Sequence, residues 1–198
     1  MKISAYALGI LILSLFLFWQ YAISDWNSNV SQENLQEYIS HIQESEALPP
    51  EIIEVFYERY PVESSGFHLL NQFMGNRSRS ECPCLWAART LDWAYSENSN
   101  DNRTNLLLNN SWITAQKIEK EVSQDQCLQF VLANMDFIYN TEGIQEAAKF
   151  YFQKPLDSLS EREIRSLVIM TRNPVLYNPK RNPESLNHQL ENWDDHKN

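Results

Sequence analysis

The stretch that most constrains this 198-residue chain is its N-terminal run over residues 3–23, apolar almost throughout and interrupted by Ser4, Ser14 and Gln20. A helix needs roughly 20 such residues to cross a bilayer, so the run reads as one transmembrane helix. Lys2 is the only charge before it, which favours a cytoplasmic N-terminus. Trp19, Tyr21 and Trp26 suit the far interface, where amphipathic rings settle. A cleaved signal peptide is the alternative, with Ala22-Ile23-Ser24 as a small-residue cleavage site before Asp25. The run is longer than the usual ~7–15-residue signal core, which favours a retained anchor. The expected organisation is an anchor over 1–24, a juxtamembrane amphipathic segment over 25–47 and one domain over 48–198. That remainder is long enough for one real core and short for two.

The chain is acidic, with a net charge of −10. Such a chain has no general attraction to nucleic acid or to an anionic lipid surface, unless a local basic pocket overrides the balance. The three cysteines, Cys82, Cys84 and Cys127, are too few and odd in number for a disulfide framework. Cys82-Pro83-Cys84 lacks the two-residue spacer of common zinc and redox motifs. In an oxidising compartment either member of that pair can join Cys127; otherwise all three are small buried residues. His41, His68, His188 and His196 show no ligand spacing. With four glycines, Gly-rich phosphate cradles are excluded, and no metal or cofactor is expected from the residues themselves.

Helical signals dominate the remainder. Leu35, Tyr38, Ile39 and Ile42 share one face of a helix over 31–42. Pro49-Pro50 opens the next helix and Pro61 ends it, because the residue before proline avoids the α region. Residues 71–84 read as loop, 85–94 as helix, 96–102 as a polar turn-forming stretch and 111–122 as helix. Ser123 with Gln126, and Ser160 with Glu163, form capping boxes, and Leu159 with Ile164 makes a hydrophobic staple. Another helix covers 143–152, and Asn173-Pro174 closes the one begun at Ser160. Strand signals are scarce, so the expected class is mainly α.

Gly143, Ala147-Ala148, Tyr151-Phe152-Gln153-Lys154, Leu159 with Glu163, Pro174-Val175-Leu176-Tyr177-Asn178-Pro179 and Asn182-Pro183-Glu184 occur in that order. This series resembles the C-terminal half of the peptidoglycan glycosyltransferase domain, glycosyltransferase family 51. There the corresponding pieces are Gly-x-x-x-Ala-Ala, Tyr-Phe-Gly-Lys, Leu-x-x-x-Glu, Pro-x-x-Tyr-Asn-Pro and Asn-Pro-Glu. The resemblance covers about 48–184 and is strong only after Ser123. It implies a lysozyme-like helical domain behind one membrane helix, facing the periplasm at the bacterial inner membrane. It implies as partners lipid-linked peptidoglycan precursor or glycan, and other cell-wall synthesis proteins. A divalent cation enters by resemblance alone. The matched residues need no chemistry to explain them, so they carry fold and not activity.

Glycosyl transfer needs a carboxylate to take the proton from the attacking sugar hydroxyl, and cations on the departing pyrophosphate. The resembled family holds its base in Glu-Asp-x-x-Phe-x-x-His-x-Gly. Anchored on Gly66-Phe67, that motif puts Tyr57 at the Glu, Glu58 at the Asp and Ser64 at the His. The second motif, Gly-Gly-Ser-Thr-Ile-x-Gln-Gln-x-x-Lys, falls on 79–91 with Glu81-Cys82 at Ser-Thr, Leu85-Trp86 at Gln-Gln and Arg89 at Lys. Arg103-Thr104 fits a later Arg-Thr pair. Leu107-Leu108 replaces Arg-Lys, and Ser111 replaces the second Glu. Glu119 falls at a Glu the family often has. Cys127 to Ala133 stands for Ile-Leu-Glu-x-Tyr-Leu-Asn without its Glu, Tyr or Asn. Both motif carboxylates are thus displaced, while Arg89 and Arg103 keep two cations; arginine holds phosphate through a planar fork of donors. A lysozyme-type pair of Glu58 and Glu63 lacks a partner motif. Two readings follow: a catalytically degenerate binder of precursor, glycan or partner, or an active polymerase with Glu58 as base and Arg89 and Arg103 on the pyrophosphate.

Overall fold

A computed structural model describes residues 2–22, 30–75, 80–96 and 110–193. The expectations placed on Trp26, on the cleavage site before Asp25, on the polar stretch from 97, on Arg103 and on Leu107-Leu108 lie outside these residues. Helix α1 (Lys2–Ala22) forms where the apolar run predicts it. Its described side chains, over 6–18, are exposed. Among the described residues no helix is long and apolar enough to cross a membrane.

Helix α2 (Gln32–Gln43) starts at Ser31, whose hydroxyl accepts from Asn34 N at 3.2 Å. Its predicted apolar face is real, but Leu35, Ile39 and Ile42 are buried inside the protein, together with Cys82, Leu85, Ala88, Trp112, Ala115, Ile118 and Cys127. The segment expected to run beside the membrane, 25–47, therefore supplies core from Val30 onward. Tyr38 fixes it further: its hydroxyl donates to Ala87 O at 2.8 Å and its ring meets Phe130 edge-on.

Helix α3 (Pro50–Arg59) begins at its proline and ends at Tyr60, extended before Pro61, as predicted. Helix α4 (Ser65–Phe73) runs into the expected loop, which begins at 71. Between α3 and α4 the chain pairs with the segment ahead of α5 (Pro83–Ser96), where Glu81 N donates to Pro61 O and Glu63 N to Glu81 O. Helix α6 (Asn110–Ile118) packs on α5. A disulfide joins Cys84 to Cys127 of α7 (Gln124–Asn134), which resolves the alternative left open by the sequence; Cys82 is free and buried.

From Ser123 onward the local rules govern. The capping box of α7 is closed on both sides, Gln126 N to Ser123 Oγ at 3.2 Å and Ser123 N to Gln126 Oε1 at 2.9 Å. Gly143 opens α8 (Ile144–Phe152) at φ +81°, and a Cβ there would sit inside the van der Waals shell of Ala133 O. Gln153, standing where the resembled motif has Gly, ends α8 at φ 58°, the left-handed cap that glycine adopts without strain. Helix α9 (Glu161–Met170) carries the second capping box, with Ser160 N donating to Glu163 Oε2 at 2.8 Å. Helix α10 (Pro183–Glu191) follows, with Pro at its start.

The motif pieces meet in space. Lys154 donates to Glu163 at 2.8 Å, and Asn178 Nδ2 to the Tyr151 hydroxyl at 2.8 Å, which donates on to Phe137 O at 2.6 Å. They tie α8, α9 and the 174–179 turn together. The core is two clusters: one of Ile52, Phe56, Leu128, Leu132, Phe137, Ile144 and the inner faces of α9 and α10, the other the α2–α5–α6 cluster bearing the cysteines. Strands are absent among the described residues, with only isolated bridges at Val62–Glu81 and Asp136–Glu142. The architecture is mainly α, in keeping with a lysozyme-like helical domain.

Candidate functional site

The segment over 80–84 is held by three carboxylates. Glu63 accepts from the Ser80 hydroxyl and from Asn71 Nδ2 at 3.0 Å, and meets His68 Nδ1 at 3.2 Å. Glu119 accepts from Ser65 N at 2.7 Å, Ser65 Oγ at 2.8 Å and Gln124 Nε2 at 2.7 Å, with Cys82 Sγ at 3.4 Å. Saturated in this way, both act as clamps. Burial pushes the Cys82 thiol up to about 12, and Glu119 beside it adds to the rise. Its thiolate, the reactive form, is therefore suppressed.

Glu81 is the third carboxylate and differs in kind. It is 5% exposed and accepts from Arg172 Nη1. Burial raises its pKa, against the opposing pull of Arg172, Trp86 and Arg89. The Arg172 guanidinium also lies 5.5 Å over the Tyr60 ring, and burial raises that phenol in turn. A cation-flanked acid thus sits at the junction of α3, α5 and the end of α9.

Glu58 sits elsewhere. Its carboxylate is 3.9 Å from Arg165 Nη2 on α9, and the same guanidinium meets Glu161 at 2.5 Å and lies 5.0 Å over Trp193. Tyr57, at the motif position of the base, donates to Asp125. Arg89 is exposed on α5, and its charge reaches Glu81. Ser111 is buried on α6. The sequence missed Glu81 and Arg172. An acid in place of a motif hydroxyl was the available signal for Glu81; Arg172 had none, because its partner is 91 residues away in the chain.

A groove of about 540 Å³ runs between α5 and α7. Trp86 and Phe130 give it apolar faces, Thr90, Asn134 and Thr171 hydrogen-bonding groups, and Asp136 and Glu142 carboxylates. No Lys or Arg is among its described lining. Trp86 connects it to Glu81. Aromatic faces beside neutral polar groups suit a polyhydroxylated ring, whereas a phosphate would need the cations at the Glu81 end. Between its lining residues Asp136 and Glu142, Ile138, Tyr139 and Asn140 stand consecutively in the left-handed region, at φ 62°, 57° and 58°. Asp136 steadies that turn by accepting from Ile138 N at 2.6 Å. The divalent cation implied by resemblance finds no group of three or more His, Cys, Asp or Glu able to hold it among the described residues.

A family model described as Transglycosylase matches residues 92–193, just over half of the chain. The chain belongs to this family. It is also similar to penicillin-binding protein 4 of Bacillus subtilis (strain 168), 35% identical over 63 residues, which are 32% of this chain and 10% of that protein. The chain thus spans a small part of that relative's length. No solved structure matches. The transglycosylase match begins at residue 92, so Glu58, Glu81 and Arg89 lie ahead of it. The shared part is the one whose motif residues brace α8, α9 and the turn after them.

Proposed function

We propose that this protein is a membrane-anchored, peptidoglycan glycosyltransferase-like component of cell-wall synthesis that binds lipid-linked precursor, glycan or a wall-synthesis partner and performs no transfer. The observation that carries this reading is the fate of the motif carboxylates. Tyr57 and Ser111 stand in their places, and Glu58 pairs with Arg165 on α9. Loss of a general base alone typically costs 10²–10⁴-fold in rate. The apolar sequence run over 3–23 is what supports an anchor in the inner membrane, and the Cys84–Cys127 disulfide suits the oxidising periplasmic side. Arg89 and Arg103 are assigned to the pyrophosphate of the precursor, and the α5–α7 groove to its sugar.

The test is incubation of the full chain with lipid-linked disaccharide, following both binding and glycan product. Binding without product is expected, weakened roughly tenfold in Arg89→Ala, the scale of one charge-assisted hydrogen bond. Processive glycan that disappears in Glu58→Ala would instead establish an active polymerase with Glu58 as base.

A further inference from the structure

The turn between α7 and α8 is strained. None of its three residues at positive φ is glycine. Asparagine tolerates that region, but a β-branched residue such as Ile138 is a true outlier there. Strain of this kind persists where the surroundings over-determine it, and it concentrates at functional positions. Here the turn is pinned at its base. Phe137 N donates to Thr141 O at 2.8 Å, Thr141 N to Ile138 O at 3.1 Å and Gly143 N to Met135 O at 2.8 Å. The Tyr151 hydroxyl holds Phe137 O from α8. What the turn carries is Tyr139. Its ring stacks on Phe150 of α8, with centroids 5.8 Å and planes 30° apart, yet Tyr139 is 52% exposed. Phe150 is committed elsewhere: Tyr151 meets it edge-on at 4.9 Å, and Lys180 Nζ lies 3.7 Å from its centroid. A lone exposed tyrosine is ordinary. One backed by a ring stack and mounted on a pinned turn is a fixed aromatic face.

We propose that Tyr139 is a stacking platform for a sugar ring of polymerised glycan, beyond the sugars held in the α5–α7 groove. This rests on the assignment of that groove to sugar. Three observations select a glycan strand as the occupant. First, the turn is continuous with the groove: it leaves at Asp136 and returns at Glu142, two lining residues that pair as an antiparallel bridge. Second, Tyr139 is within reach. It stands three residues from each of them, so its Cα is at most about 11 Å from theirs, because extended chain spans no more than ~3.6 Å per residue. A short run of sugars covers that distance. The groove itself, at about 540 Å³, has the size of a site for one small ligand. A precursor with a single disaccharide fills the groove, whereas a ring on Tyr139 needs further units, so the platform favours strand over precursor. Third, the surroundings are polar: Asp136, Asn140, Glu142 and Lys180 are all exposed. An apolar peptide or acyl chain would need a contiguous apolar patch. A pyranose needs one aromatic face for its C–H bonds and water or polar groups for its hydroxyls, and tyrosine joins an apolar ring to a wet hydroxyl.

The experiment is an NMR titration of the full chain in detergent micelles. The ligands are the peptide-free N-acetylglucosamine–N-acetylmuramic acid disaccharide and the tetra- and hexasaccharide of the same repeat. The parent should hold the longer ligands roughly three- to tenfold more tightly than the disaccharide, the range of one aromatic stacking contact. Tyr139→Ala should abolish that advantage and leave disaccharide affinity unchanged, which reports an intact groove. Tyr139→Phe should keep the advantage. Equal affinity for all three ligands, or a length advantage that survives in Tyr139→Ala, overturns the platform and leaves the groove assignment standing. Loss of disaccharide binding in Tyr139→Ala makes the ring a brace for the groove and also overturns the proposal. A parent that binds none of the three overturns the groove assignment and the platform with it.

Discussion

The two core clusters are built on different principles. The one formed by α3, α7, α8, α9 and α10 is apolar, and two of its helices, α7 and α9, begin at capping boxes written within four residues. Its polar ties, Lys154 to Glu163 and Asn178 to Tyr151, join pieces recognisable as motifs in the sequence. The cluster of α2, α5 and α6 is held across longer distances, by the disulfide and by Glu63 and Glu119 gripping the chain over 80–84. The transglycosylase match takes in α7 to α10 of the first cluster but not α3, and reaches the end of α5 and α6 in the second. The second borders the places where transfer chemistry would sit. A scaffold can be kept by local signals while a site drifts, because site residues depend on partners that no local signal specifies.

The largest test of this contrast is removal of the staple. Reduction, or the double variant Cys84→Ser/Cys127→Ser, should lower unfolding free energy by about 2–4 kcal/mol in urea titration, given the 43-residue separation it closes. Hydrogen exchange should quicken in α5 and α6 while α8 and α9 stay protected. Equal acceleration throughout would mean that the clusters unfold as one and that the contrast has no energetic content.

Gly143→Ala strikes the other cluster. Its positive φ and the close approach of Ala133 O leave no room for a Cβ, so a loss of about 2 kcal/mol or more is expected in thermal unfolding. A variant as stable as the parent would show that the α7–α8 corner yields more readily than its geometry indicates.

Glu163 gives the smallest effect and carries a pH signature. Its hydrogen bonds with Lys154 and Ser160 hold its carboxyl down at about 2, below its ordinary 4.5. The folded chain binds that proton less readily than the unfolded chain. Its contribution is therefore complete above 4.5 and fades as pH falls through about 2. Glu163→Ala should cost about 1 kcal/mol at neutral pH, the scale of a lost cap with a partly exposed ion pair. The difference from the parent should close in acid, as read from unfolding midpoints across pH. An undiminished difference at low pH would assign the loss to packing.

Much of the fold was legible because its signals are short-ranged. Ser123 with Gln126, Ser160 with Glu163, Pro50 and Pro61 each act within one helical turn, and each appears where the sequence put it. Helix α4 escaped because it has no proline or capping box, and its start is secured by Glu119, 54 residues away. The site was far less legible. Arg89 could be placed on α5, but nothing near Glu58 in the chain announced Arg165, and nothing near Glu81 announced Arg172.

The amino-acid order alone determined that this chain is helical, where most helices begin and end, and which family its second half resembles. Those properties are set by neighbours three or four residues apart. Only the tertiary structure decided that Cys84 rather than Cys82 meets Cys127, that α2 turns its apolar face inward while α4 leaves Phe67 and Leu70 outward, and that Glu81 lies in the field of Arg89 and Arg172. Those outcomes follow from how helices pack, and a charge or a thiol takes as partner whatever that packing brings within a few ångströms.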